Sequence, residues 1–148
     1  MKKQKIVIDT NLWISFLISK KLSSFLFIIE SKIILLYSNQ LINEIEKVVN
    51  RPKFVKYFDA ESVGLIYELF ENEGEKIEIT SQIDTCRDLK DNFLLNLAVD
   101  GNAHYLLTGD KDLLVLEIIN KTKIITITDF MLNKIKVKHT NLTNNKNN

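Results

Sequence analysis

The stretch that decides the fold is Ile6-Val7-Ile8-Asp9-Thr10-Asn11, near the start of the sequence. Three consecutive β-branched residues favour a strand that is buried on both faces, as in a parallel sheet. The polar residues that follow make a turn into an apolar stretch, which we predict to be a helix over residues 12–19. A buried strand that leads directly into a helix is typical of α/β proteins.

The same alternation of strands and helices continues along the chain. We predict further strands at residues 33–37, 77–79, 105–107 and 124–127. Helices are predicted at residues 22–31, 41–49, 60–73, 91–100, 113–116 and 129–135, with N-caps at Ser38, Asp59 and Thr128. Pro52 is expected to open a short helix, and Gly74 to end one as a C′ glycine. This order predicts a three-layer αβα sandwich with a mainly parallel central sheet, whose ligand site lies at the strand ends.

The composition excludes several classes of protein. The chain has 148 residues, a formal net charge of +1 and 45% hydrophobic residues, with four Gly and one Pro. These values suit one globular domain and exclude a collagen-like or disordered chain. The single cysteine, Cys86, excludes an internal disulfide, and one Cys with two His does not supply a Cys/His zinc site. No apolar stretch is long enough to span a membrane and no signal-peptide pattern follows the basic N-terminus, so we expect a cytoplasmic protein.

The charge is distributed unevenly along the chain. Residues 120–148 carry six lysines against Asp129, a net charge of +5, which leaves −4 for residues 1–119. A basic end on an acidic body is expected either in a nuclease or in a protein with a merely solvated tail. Residues 139–148 are rich in Asn, Lys and Thr, so we predict a domain over residues 1–138 followed by a disordered tail.

Carboxylates stand where a ligand site is expected. Asp9 follows the first strand, Asp110 follows the strand at 105–107, Asp91 begins a helix, and Glu44 lies within the helix after the strand at 33–37. Each aspartate alone is explained equally well as a cap or turn residue. Carboxylates that converge repel one another, and a hard divalent cation such as Mg²⁺ or Mn²⁺ relieves that repulsion. Their ordered combination therefore favours a metal site.

Four segments together resemble the PIN domain family, in particular its branch of toxins from toxin–antitoxin systems. The resemblance covers about residues 5–136 and rests on Asp9-Thr-Asn-Leu-Trp13, Leu41-Ile-Asn-Glu-Ile-Glu-Lys-Val48, Arg87-Asp-Leu-Lys-Asp-Asn-Phe-Leu-Leu-Asn-Leu-Ala98 and Thr108-Gly-Asp-Lys-Asp-Leu-Leu114. Arg51-Pro-Lys-Phe54 is also similar to that branch.

The resemblance implies a metal-dependent endoribonuclease that uses Mg²⁺ or Mn²⁺ to hydrolyse RNA phosphodiester bonds. It implies a catalytic quartet of Asp9, Glu44, Asp91 and Asp110. The implied metal ligands are the three aspartates of this quartet and Asp112. It also implies supporting hydrogen bonds from Asn11 and Thr108, an antitoxin partner and a possible homodimer. Since an acidic centre repels phosphate, nearby cations are expected to bind RNA, with Arg51, Lys53 and Lys111 as candidates.

Two other functions are compatible with these residues. The same fold could serve as a non-catalytic module that binds RNA or a protein partner. An aspartyl-phosphate phosphatase or receiver domain also uses aspartates at strand ends. That reading is disfavoured because Asp9-Thr10-Asn11 lacks the second aspartate that such sites need.

Overall fold

A computed structural model describes residues 3–29 and 32–133. Its strands are β1 Gln4–Ile8, β2 Ile33–Tyr37, β3 Gly74–Lys76, β4 Tyr105–Leu107, β5 Ile118–Ile119 and β6 Thr122–Ile125. Its helices are α1 Thr10–Ser19, α2 Leu22–Ile29, α3 Asn39–Val49, α4 Ala60–Glu73, α5 Asn92–Asp100 and α6 Lys111–Leu114. Residues 127–133 form a further helix, α7, and short 3₁₀ helices lie at Val55–Tyr57 and Leu89–Asp91.

The strands form one sheet in the order β3-β2-β1-β4-β6-β5. Every neighbouring pair is parallel except β5 and β6, so the predicted αβα sandwich with a mainly parallel sheet is confirmed. The chain moves outward from β1 to β2 and β3, then returns to place β4 on the other side of β1. This reversal opens a crevice beyond the carboxyl ends of β1 and β4, which is where such sheets bind ligands.

The core consists of apolar residues from the sheet and the helices that cover it. Ile6, Val7 and Ile8 of β1 are fully buried, as are Leu106 and Leu107 of β4. They make both central strands continuously apolar, as burial on two faces requires. Over the described part of the chain, no helix has the length and apolar character to cross a membrane.

The third strand differs from the prediction. It covers Gly74–Lys76 rather than residues 77–79, although the Ile77 N–H still donates to the Tyr37 carbonyl at 2.8 Å. Gly74 therefore begins a strand in extended backbone and is not a left-handed C′ residue. A Cβ at Gly74 would lie 2.3 Å from the Phe70 carbonyl oxygen, so the close turn from α4 into β3 needs glycine. β3 lies at the sheet edge, as its polar sequence suits.

Other boundaries also differ, chiefly toward the C-terminus. The last strand is Thr122–Ile125, and its antiparallel partner β5 was not predicted. Thr126 rather than Thr128 caps α7, since its Oγ1 accepts the Asp129 N–H at 3.1 Å. Pro52 lies in a turn, and the short helix begins only at Val55. The predicted ends of the helices at 22–31 and 129–135, the domain boundary at 138 and the tail at 139–148 fall outside the described residues.

Candidate active site

Asp9 and Thr108 meet at the centre of the crevice. Thr108 Oγ1 donates to Asp9 Oδ2 at 2.6 Å, and the Asn11 backbone N–H donates to Asp9 Oδ1 at 2.8 Å. Asp9 is 5% exposed and Thr108 is fully buried. Asp9 thus caps α1 and contacts the adjacent strand end at the same time. The supporting contact predicted for Asn11 comes from its backbone, since its side chain is exposed.

Thr108 also holds the next aspartate in place. Its Oγ1 accepts the Asp110 N–H at 3.0 Å, so one hydroxyl joins the loops that follow β1 and β4. Asp110 Oδ1 accepts the Asp112 N–H at 2.8 Å and caps α6. Asp110 is therefore a capping residue as well as a member of the acidic site.

Asp91 faces Asp110 from the other side of the crevice. Burial raises the pKa of Asp91 to about 7, helped by a hydrogen bond to the Asp110 carboxyl and by the charges of Asp110, Asp88 and Asp9. Asp91 Oδ2 is buried and has no hydrogen-bond partner among the residues described. The Asp91 carboxyl is therefore partly protonated near neutral pH when no cation is bound.

The surroundings of Asp9 also shift its pKa. Burial raises the pKa of Asp9, hydrogen bonds from Thr108 and Asn11 lower it, and the charge of Asp110 raises it again. The net shift is upward, so burial and repulsion outweigh two good hydrogen bonds. Asp9, Asp91 and Asp110 thus form one electrostatically coupled group, which we call the acidic triad.

Glu44 and Asp112 are the two other carboxylates that the sequence predicted at the site. Glu44 is half-buried on α3, which packs against both α1 and α5. Within residues 3–29 and 32–133, no hydrogen bond links the Glu44 carboxylate to the triad. Asp112 touches the site through its backbone, since its N–H binds Asp110 and its carbonyl lies 3.8 Å from Cys86 Sγ.

The donor chemistry of the triad fits a hard divalent cation. All of its donors are carboxylate oxygens, and the unpartnered Asp91 Oδ2 lacks the positive partner that a buried carboxylate requires. The arrangement of these ligands is less complete. In the described part of the chain, no three Asp, Glu, His or Cys side chains are gathered closely enough to ligate one ion together. The residues thus fit a cation held by one or two carboxylates with water, the mode that Mg²⁺ prefers.

Cys86 lies near Asp91, Asp110 and Asp112. It is 2% exposed, and its backbone N–H donates to Asn92 Oδ1 at 2.9 Å. Burial raises the pKa of the Cys86 thiol, a backbone hydrogen bond at Asp88 lowers it, and the charges of Asp91, Asp110 and Asp112 raise it. The net effect keeps this thiol protonated and therefore a poor nucleophile.

The predicted nucleic-acid contacts fall in two places. Lys111 is exposed and directly follows Asp110, whereas Arg51 and Lys53 lie in an exposed segment after α3. In that segment Lys53 Nζ lies 4.8 Å from the Phe54 ring centroid, and Lys56 Nζ lies 5.1 Å from that of Tyr57. Lys56 and Tyr57, which the sequence analysis did not single out, continue the same alternation of cations and aromatic rings.

Comparison with known proteins agrees with the fold. Residues 5–112 match the PIN domain family, a range that includes the acidic triad, Glu44 and Asp112. The chain is also 36% identical over 125 residues to "Uncharacterized protein MJ1680" of Methanocaldococcus jannaschii. That alignment covers 80% of this chain and 79% of the relative. The chain therefore belongs to the PIN domain family.

Proposed function

We propose that this PIN domain is a Mg²⁺- or Mn²⁺-dependent endoribonuclease. The observation that carries the proposal is a chain of contacts beyond the carboxyl ends of β1 and β4. The Thr108 hydroxyl bonds both the Asp9 carboxylate and the Asp110 N–H, and the Asp91 carboxyl is hydrogen-bonded to that of Asp110. PIN domains are generally nucleases and typically use divalent metals. The acidic triad supports the same chemistry here, because a divalent cation would stabilise the charged carboxylates of Asp9 and Asp91, which burial disfavours.

The nucleophile in this proposal is water. Cys86 is buried with a raised pKa, so it does not supply a covalent nucleophile. A bound Mg²⁺ or Mn²⁺ would supply Lewis-acid stabilisation of the phosphate charge and lower the pKa of water. Asp91 and Asp110 would bind the cation, Asp9 would accept a proton or a water hydrogen bond, and Thr108 would hold Asp9 and Asp110 in register. Glu44 and Asp112 are proposed to complete the site through water.

The cations of the chain support RNA as the substrate class. Lys111 stands next to Asp110, where it would offset the repulsion between the acidic triad and a phosphodiester. Arg51, Lys53 and Lys56 would bind flanking phosphates, and Tyr57, which is 53% exposed, would stack on a base. The basic residues at 134–148 lie outside the described part and add nothing to this argument.

The test is cleavage of labelled single-stranded RNA by the purified protein. We expect cleavage with Mg²⁺ or Mn²⁺, products with a 5′-phosphate and a 3′-hydroxyl, and no cleavage in excess EDTA. Asp9→Asn should abolish turnover, whereas Asp129→Asn, which removes one exposed carboxylate far along the chain, should not. Cleavage that survives EDTA or Asp9→Asn would overturn the proposal.

A second candidate is a PIN module that binds RNA or a protein without cleaving RNA. It is favoured by one observation, since the described carboxylates do not form a ready three-ligand metal site. The two candidates separate in one experiment, in which RNA binding and cleavage are measured on the same samples. Binding that depends on Mn²⁺, with no cleavage of any RNA tested, would favour the second candidate.

We further propose that the ribonuclease is the toxin of a toxin–antitoxin pair and forms a homodimer. The support is the likeness of its four sequence motifs to that branch of the family. Expression of the wild-type chain should arrest growth, and Asp9→Asn should relieve the arrest. A small protein encoded beside it should restore growth and co-purify with it, and light scattering should give twice the chain mass of 17.2 kDa. Unimpaired growth at full expression of an RNA-cleaving protein would count against the toxin role.

A further inference from the structure

Helix α5 presents three acceptor side chains to the segment that precedes it. Asn92 Oδ1 accepts the Cys86 N–H at 2.9 Å, and Asn96 Oδ1 accepts the Ile83 N–H at 2.7 Å. One turn further, Asp100 Oδ2 accepts the N–H groups of Thr80 and Ser81 at 2.8 and 3.0 Å. We call Asn92, Asn96 and Asp100 the acceptor ladder.

The spacing of the acceptor ladder follows from helix geometry. Residues four apart lie on the same face of a helix, one above another. The segment 80–86 runs along this face in the opposite direction to α5, because its earliest residues bind Asp100 and its latest binds Asn92. Residues 77–85 have no assigned secondary structure, so the ladder satisfies backbone N–H groups that no strand satisfies.

Side-chain contacts reinforce the same attachment. Ser81 Oγ lies 3.1 Å from Asn96 Oδ1 and 3.0 Å from Asp100 Oδ2. Burial tends to raise the pKa of Asp100, but the hydrogen bonds from Ser81 and Thr80 together bring it below its usual value. The Asp100 carboxylate is therefore ionised and its hydrogen bonds are charge-assisted, which makes them stronger than neutral ones.

The ladder ends at the acidic triad. Asn92 directly follows Asp91, and the segment that the ladder holds continues through Asp88 into the 3₁₀ turn at Leu89–Asp91. Asp91 carries an unpartnered buried oxygen, and its side chain makes no capping hydrogen bond to α5, so neither contact fixes its carboxyl in the crevice. Some other part of the fold must hold Asp91 in place, and the acceptor ladder is attached on both sides of it along the chain.

We propose that the acceptor ladder positions Asp91 opposite Asp110 by fixing the segment 80–86 to α5. Asn96 and Asp100 are then positioning residues, which act on the site without touching the cation or the RNA. The functional half of this inference rests on the proposed metal-dependent function, in which Asp91 binds the cation. The structural half, the attachment of the segment, stands independently of that function.

The test replaces Asn96 in the metal-free full chain and follows two measurements. Asn96→Leu removes the acceptor, whereas Asn96→Asp keeps the Oδ1 that receives both Ile83 and Ser81. Asn72→Leu, on the exposed surface of α4, controls for the same substitution at a remote site. Hydrogen exchange at the Ile83 and Cys86 amides reports the attachment, and calorimetric titration with Mn²⁺ reports the site.

We expect Asn96→Leu to speed exchange at both amides by about tenfold or more and to weaken Mn²⁺ binding by about tenfold. Asn96→Asp should restore both properties, and Asn72→Leu should change neither. Unchanged exchange in Asn96→Leu would show that the ladder does not hold the segment. Faster exchange with unchanged Mn²⁺ affinity would show that the ladder does not position Asp91.

Two further arms keep the inference testable. If Asn96→Leu does not fold, Asp100→Ala is compared with Asp100→Asn, which keeps one acceptor oxygen at the far end of the ladder. If the wild-type chain binds no Mn²⁺, the proposed metal function fails. The ladder is then judged by the amide chemical shifts of Asp91 and Asn92, which should move in Asn96→Leu and return in Asn96→Asp. Shifts that stay unchanged in Asn96→Leu would overturn the positioning role.

Discussion

Thr108 Oγ1 donates a 2.6 Å hydrogen bond to Asp9 Oδ2, and this bond joins residues that are 99 positions apart in the chain. The same hydroxyl accepts the Asp110 N–H at 3.0 Å. One buried threonine thus sets the distance between two aspartates that extend from neighbouring strands. Because Thr108 is fully buried, no water replaces this hydroxyl when it is removed.

Thr108→Val should therefore destabilise the protein and disturb the site. It keeps the shape of the side chain but leaves Asp9 Oδ2 and the Asp110 N–H without their partner. We expect the free energy of unfolding to fall by about 2 kcal/mol, as for a lost bond to a charged group. Urea unfolding measures this loss, and Thr108→Ser, which keeps Oγ, should recover most of it. Equal stability of the Val and Ser variants would contradict this role.

The Asp91–Asp110 pair predicts how cation binding depends on pH. The pKa of Asp91 is raised to about 7, so Asp91 retains a proton below that pH and must release it to bind a divalent cation. Mn²⁺ affinity should therefore rise with pH through about 7, and binding should release a proton. Calorimetry in buffers of different ionisation enthalpy measures the proton release. A Mn²⁺ affinity that does not change within about one pH unit on either side of that pKa would contradict this assignment.

The same raised pKa predicts that the stability of the metal-free protein falls with rising pH, whereas Mn²⁺ affinity rises. A carboxyl whose folded pKa lies above its unfolded value binds more protons when folded, so stability falls as pH rises from about 4 through about 7. Asp91→Asn removes this charge and should stabilise the metal-free chain at pH above about 8 by about 1 kcal/mol, after allowance for solvent screening. At pH of about 4 it should have little effect. Thermal unfolding of both proteins at the two pH values, with EDTA present, measures the difference.

The sequence predicted the parts of the fold and site that depend on local pattern. The buried strands at Ile6 and Leu106 contain continuous apolar runs. The order of strands and helices was then enough to predict that the aspartates after these strands lie at the same edge of the sheet. Glu44 illustrates the limit of that reasoning. Its position on the helix after β2 was predicted, but the chain order does not determine whether its carboxylate reaches the triad.

Features that depend on partners distant in sequence could not be predicted. β3 is a three-residue polar strand whose position is set by pairing with β2, and β5 has two residues paired only with β6. Cys86 and the acceptor ladder depend on which face of α5 meets the segment 80–86. Polar residues at Asn92, Asn96 and Asp100 normally indicate a solvent-exposed helix face, and here they bind backbone instead.

The cation–aromatic segment at residues 53–57 predicts a salt dependence for RNA binding. Lys53→Gln together with Lys56→Gln should weaken binding of single-stranded RNA to the Asp9→Asn protein. Each lost phosphate contact should reduce the slope of log affinity against log salt by about 0.7. Lys76→Gln, an exposed cation on β3, is the control. Fluorescence anisotropy across several salt concentrations measures the slopes, and an unchanged slope in the double variant would place the RNA elsewhere.

Two glycines, one inside α4 and one directly after it, test the turn from α4 into β3. A Cβ at Gly74 would lie 2.3 Å from the Phe70 carbonyl oxygen, which is backbone and cannot move without disturbing α4 or β3. Gly74→Ala should therefore lower the free energy of unfolding by about 2 kcal/mol. Gly64 lies inside α4 with no atom within 4 Å of an added Cβ, so Gly64→Ala should raise stability by about 0.5–1 kcal/mol through helix propensity. Urea unfolding of both variants measures the contrast, and a neutral Gly74→Ala would mean that β3 begins elsewhere.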